Sequence, residues 1–163
     1  MIATPHASTE HHARLAPHVD RLAVTAELVG TAPAAQVRTG LDEACAFLTG
    51  LLLPHMEAAE RALYPELERL MQNRHSMTPM RREHQEIRAL VADLDRRRTS
   101  IGDQPIATGD AIALRRGLFR LFGLLKVHLA EEQLYADIVE HGLSPEQGAA
   151  LAAALEHDGI RAS

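Results

Sequence analysis

Trp is absent from this chain, aromatic residues make up only 3% of it, and cysteine occurs once, as Cys45. With so few aromatics, the apolar 46% of the sequence must build its core from Leu, Ala, Val and Ile. Those side chains suit packed helices better than a β-sandwich. A lone Cys45 excludes an intrachain disulfide framework and with it the main sequence mark of an oxidising compartment, so a cytoplasmic location is expected. An excess of basic charge is also missing. The formal net charge of −5 offers no general attraction for nucleic acid or an anionic membrane, and neither partner is expected. Long apolar runs are lacking too: the stretch from Leu41 to Pro54 is interrupted by polar residues, so no membrane span is expected. Met1 to Glu10 contain no Lys or Arg and match neither a signal nor a transit peptide. No Gly-rich phosphate loop of the Walker kind is present.

What is there is helical periodicity in a chain of 163 residues, the size of one domain. A disordered lead-in over residues 1–10 precedes a domain expected over 11–160. His11, Leu15, His18, Leu22, Ala26 and Val29 recur at three- and four-residue steps and predict a first helix that Gly30 stops. Pro33 opens a long second helix to about Met71, and the internal Pro54 and Pro65 predict a kink or a break. Pro79 fits the first turn of a third helix to about Arg98, with Met80, His84, Ile87, Val91 and Leu94 on one face. After a loop over 99–109, Asp110 is positioned to cap a fourth helix carrying Leu114, Leu118, Leu121, Leu125, His128, Glu132, Tyr135 and Val139. Ser144 and Gln147 form a capping-box pattern opening a short fifth helix. The short links between helices favour antiparallel neighbours, so the fold class is all-α: an up-down four-helix bundle with a short C-terminal helix.

Four of the ten histidines fall where the helical period places a core residue: His18, His55, His84 and His128, one on each long helix. A single His on an apolar face is more often a satisfied core residue than a ligand. Four converging imidazoles are different, because each unsatisfied one would cost ~1–3 kcal/mol, and a shared metal ion would satisfy them all. Glu132 stands one turn after His128 on the same stripe, where an acid among leucines needs a partner. Imidazole with carboxylate suits iron, manganese or zinc, and the absence of nearby cysteine excludes thiolate zinc and iron–sulfur sites.

Over roughly His11 to His141 the chain resembles the hemerythrin-like proteins, the HHE or hemerythrin cation-binding domains. The resemblance is carried by His18, by His55 with the run Glu57-Ala-Ala-Glu60-Arg-Ala-Leu-Tyr64-Pro65, by Arg82-Glu83-His84, and by His128-Leu-Ala-Glu131-Glu132. It implies a non-haem di-iron centre in a four-helix bundle, used for O2 binding, nitric oxide or peroxide chemistry, or iron and oxygen sensing. Two irons per chain are expected, with a single ion, Mn or Zn as alternatives. The ligand set it implies is His18, His55, Glu60, His84, His128 and Glu132. Ala59 occupies the spacing where the family places the second helix's carboxylate, which passes that role to Glu60. His11 or His12 is the alternative to His18 on the first helix, and Met80 stands where a second His of the third helix would be. Tyr64 and Tyr135 lie near ligand positions, as bystanders of the core or as partners of the centre. The implied ligands are small molecules, and a homodimer is left open. A di-iron oxidoreductase and an iron- or oxygen-sensing module are both compatible with the set.

Overall fold

The computed structural model describes residues 7–102 and 105–160. Of the expected lead-in, residues 1–6 lie outside the described residues, and the first helix, α1 (Ala7–Leu28), begins within it. Gly30, at φ 87°, ends α1 in a left-handed turn that an L side chain rarely adopts, and Ala32 N–H returns to Leu28 O.

The next helical rod runs over 34–70 and is where the structure departs from a simple kink. It comprises α2 (Ala34–Phe47), a π turn (Leu48–Leu52), α3 (Leu53–Ala58), a second π turn (Ala59–Leu63) and α4 (Tyr64–Leu70). Leu53 N–H bonds Leu48 O and Tyr64 N–H bonds Ala59 O, five residues back in each case, while the backbone stays in the right-handed helical region. Pro54 and Pro65 directly follow these two donors. A proline lacks the N–H and crowds the carbonyl four residues back; widening the preceding turn by one residue relieves both problems without breaking the helix.

α5 (Thr78–Ser100) carries Pro79 in its first turn. α6 (Thr108–Gly142) starts two residues before the expected cap, so Asp110 sits inside its first turn as a dipole-favoured acid. α7 (Pro145–Ile160) opens with the expected reciprocal cap: Ser144 N–H donates to Gln147 Oε1 and Gln147 N–H to Ser144 Oγ.

Among the described residues there is no strand. α1 packs on α2 and α6, and α5 on α2 and α6, so the four long elements close a ring of neighbours as an up-down bundle, while α7 covers α3 and the second π turn. Two apolar layers fill it. The larger contains Leu15, Leu22, Leu41, Leu52, Ile87, Leu118 and Leu125. The smaller contains Ala59, Leu63, Leu67, Met77, Met80 and Val139. Along α5 and α6 the switch from one layer to the other occurs at His84 and between Leu129 and Val139, which places a polar band between them. No helix among the described residues is long and apolar enough to cross a membrane.

Candidate metal centre

Each long element sends a histidine into that band. His12 comes from α1, His55 from α3, His84 from α5 and His128 from α6, with Glu132 one turn beyond His128. Glu132 is 1% exposed and its two oxygens have different neighbours. Oε2 lies 3.1 Å from His12 Nε2 and 2.7 Å from His55 Nε2. Oε1 is approached by the Tyr64 hydroxyl at 3.4 Å, and that hydroxyl is 3.0 Å from His84 Nε2. His84 Nε2 and His128 Nε2 stand 3.1 Å apart. The ligand atoms of His12, His55 and Glu132 form one compact group and those of His84, His128 and Glu132 another, so Glu132 is common to both.

Outer hydrogen bonds fix how these rings present themselves. His84 Nδ1 donates to Glu60 Oε1 at 2.6 Å, and Arg88 donates to the same oxygen at 3.0 Å. His128 Nδ1 donates to Glu83 Oε2 at 2.9 Å. His12 Nδ1 stands 3.1 Å from Gln133 Oε1, and the Gln133 amide donates to Asp137. With their Nδ1 protons committed to carboxylates, His84 and His128 turn bare Nε2 lone pairs toward each other. The Tyr64 proton can satisfy only one of them. A cation between them satisfies both, and donors ~2.0–2.1 Å from a shared ion stand roughly 3 Å from one another, as these do. The residues present therefore fit a metal ion.

Electrostatics agree with a cation-seeking site. Burial raises the Glu132 carboxyl, but the His55 charge and the hydrogen bonds from His12 and His55 outweigh it and hold the group well below the ordinary carboxylate range. Burial, with the neighbouring His128 charge, pushes His84 down to about 4, so the ring is neutral and its nitrogen free to ligate. Burial, then the Glu132 charge, drives the Tyr64 phenol far above its usual range, which keeps it protonated in the metal-free fold.

Two expected ligands lie elsewhere. His18 is exposed and stacks on Phe47 with ring centroids 5.0 Å apart. The buried face of α1 is Leu15, Val19, Leu22, Ala26 and Val29, and Val19 takes the place that His18 was expected to hold. His12, three residues before Leu15 and seven before Val19, is on that face; the apolar Val19 is the signal that favours it over His18. The side chain of His11 lies outside the described residues. Glu60 points to the far face of His84, away from the Nε2 cluster, as that ring's acceptor. Ala59 is buried without any donor to offer, Met80 belongs to the lower apolar layer, and Tyr135 packs against that layer. Tyr64, four residues beyond Glu60, is the polar group that the rod of 34–70 adds to the centre beside His55. The second π turn delivers it there.

The family model for the hemerythrin HHE cation binding domain matches residues 5–136. The chain belongs to the hemerythrin HHE cation-binding family. No curated protein and no solved structure gives a match. The matched span of this HHE domain contains every residue of the cluster, from His12 to Gln133, and ends before α7. The groups able to hold a cation in this HHE bundle lie in the band between the two apolar layers, with His84, His128 and Glu132 on its inner side. His12 and His55, 11% and 10% exposed, form its outer side.

Proposed function

We propose that this HHE domain holds two metal ions, iron by family expectation, and binds or reacts with O2, NO or peroxide. Manganese and zinc suit the same donors. The observation that carries the reading is the sharing of Glu132 between the His12–His55 pair and the His84–His128 pair, an arrangement that calls for one ion on each side of a bridging carboxylate. Iron, when bound, supplies an open coordination position and a change of oxidation state. The protein's own groups do the rest. Glu60 and Glu83 hold the two inner rings in their tautomer, the apolar layers exclude bulk water, and the partly exposed His12–His55 edge admits a small molecule. The lone, buried Cys45 supports a cytoplasmic location.

A second reading, a metal-controlled sensory module, is favoured by one feature: the ligand atoms come from all four bundle elements, so loading would couple metal binding to the order of the whole domain.

Metal analysis and thermal unfolding with and without chelator test the proposal. Two ions per chain are expected, with stripping lowering Tm by roughly 10 °C, as ~4 kcal/mol of linkage implies for a chain of this size. Glu132→Gln should lose both ions together. Protein whose Tm ignores both iron and chelator would contradict the reading. Consumption of peroxide or NO by the loaded form distinguishes a reactive centre from a sensor.

A further inference from the structure

Tyr64 is fully buried, yet its hydroxyl is not turned to solvent or to a backbone carbonyl. It sits 3.0 Å from His84 Nε2 and 3.4 Å from Glu132 Oε1, on two residues of the inner metal-binding group. Its ring stacks on the His84 ring at a centroid distance of 5.4 Å, and Arg81 lies 5.5 Å from the ring centroid on the outside, so the phenol is held in place. The backbone is arranged for this. In an ideal α-helix Tyr64, nine residues after His55, would face about half a turn away; the extra residue absorbed by the second π turn removes about 100° of that difference.

We infer that Tyr64 is a ligand of the inner metal ion, its phenolate completing a four-donor set with His84, His128 and Glu132. The inference rests on the proposed metal centre. Loading releases the phenol proton to solvent as the oxygen–metal bond forms, as it does for other ligands that bind in their deprotonated form. Two consequences follow from the donor set. The inner ion has one more anionic oxygen than the outer, which favours the ferric over the ferrous state there. Among the described residues the outer ion has His12, His55 and Glu132, one donor fewer, and is the side where an added molecule binds.

A structural tyrosine and a ligand tyrosine differ in colour. Metal-free full-length protein is loaded with ferric iron delivered as a weak chelate, and three quantities are read: bound iron per chain, visible absorption, and resonance Raman scattering excited within any visible band. The expected result is bound iron with a visible phenolate-to-iron charge-transfer band and enhanced tyrosine ring modes. Tyr64→Phe should lose the band while keeping the helical circular dichroism of the parent. Tyr135→Phe provides an assignment that does not depend on how Tyr64→Phe folds, because these are the two tyrosines of the chain. The band must survive Tyr135→Phe. Iron that binds without a visible band, or a band lost in Tyr135→Phe, would overturn the ligand role and leave the metal centre standing. Failure to bind iron at all would remove the centre and the ligand together.

Discussion

Glu60 and Glu83 touch no Nε2 atom of the centre, yet both bear on it through the imidazoles they accept from. Burial works against the Glu60 charge, but hydrogen bonds from Arg88 and His84 more than offset it and hold the carboxyl below its usual range. Arg88 thus helps to keep Glu60 ionised behind His84, and the carboxylate accepting from Nδ1 makes the ring a stronger donor toward the cluster. Glu60→Gln preserves an acceptor and removes the charge; Glu60→Ala removes both. Inner-ion affinity should fall by about 10-fold in the first and approach 100-fold in the second, the range found for such outer partners. Titration against a competing chelator measures it. Unchanged affinity in Glu60→Ala would show that Glu60 is only a surface partner of Arg88. His18→Ala, by contrast, should leave ion stoichiometry at the wild-type value, because that ring lies on Phe47 outside the cluster.

Between elements, α1 and α2 approach closely at Gly40, where an added Cβ would meet Thr25 Cγ2 at 3.0 Å and Oγ1 at 3.2 Å. Thr25 is 2% exposed and its hydroxyl is tied to Arg21 O, so it has little freedom to retreat. Ala in place of a helical Gly gains roughly 0.5–1 kcal/mol of propensity, but overpacking a tight contact costs about 1–3 kcal/mol. Gly40→Ala should therefore destabilise by about 1 kcal/mol, and adding Thr25→Ala should recover part of that loss in urea unfolding. Simple additivity of the two changes would refute the contact. The same scale explains what could be read from sequence. On α5 and α6 an uninterrupted 3.6-residue period held, so Met80, His84, Ile87 and Val91 on one helix and Leu125, His128 and Glu132 on the other could be assigned to the inner face correctly. On α1 two stripes share Leu15, Leu22, Ala26 and Val29, and the choice between His18 and Val19 needed the packing against α2 and α6. In the rod of 34–70 each π turn adds a residue that a fixed period cannot count. The resemblance passes a ligand's role to Glu60 because Ala59 holds the family's spacing, and a fixed period does not bring Tyr64 round to Glu132. The two prolines marked where the period fails, but not that it fails by widening.

For the whole molecule, stability should depend on acid through the same band of buried groups. His84 in the metal-free fold is held down near 4 by burial and by the His128 charge, against the opposing hydrogen bond from Glu60, whereas the unfolded chain returns it to about 6.5. The sign follows from which state takes the proton first. Above pH ~6.5 both states carry a neutral His84 and the group contributes its full share. As pH falls toward about 4 the unfolded state binds a proton that the folded state refuses, so stability declines, with a limiting slope of ~1.4 kcal/mol per pH unit. Glu132, depressed well below 4.5, extends the loss in the same direction at still lower pH. Urea midpoints of the metal-free protein between pH 7.5 and 4.5 should therefore fall with acid. His84→Gln, which cannot titrate there, should flatten the curve while lowering the plateau at neutral pH. A midpoint that stays level from pH 6.5 to 4.5 in the parent would mean that His84 takes up its proton inside the bundle, with the Glu60 carboxylate already strong enough to hold an imidazolium. On the proposed metal centre, iron loading should add a second acid dependence on top, since protons would then compete with the metal for His12, His55, His84, His128 and Glu132 at once. The loaded protein should consequently lose stability over a narrower pH interval than the stripped one, because metal release and protonation of several ligands occur together.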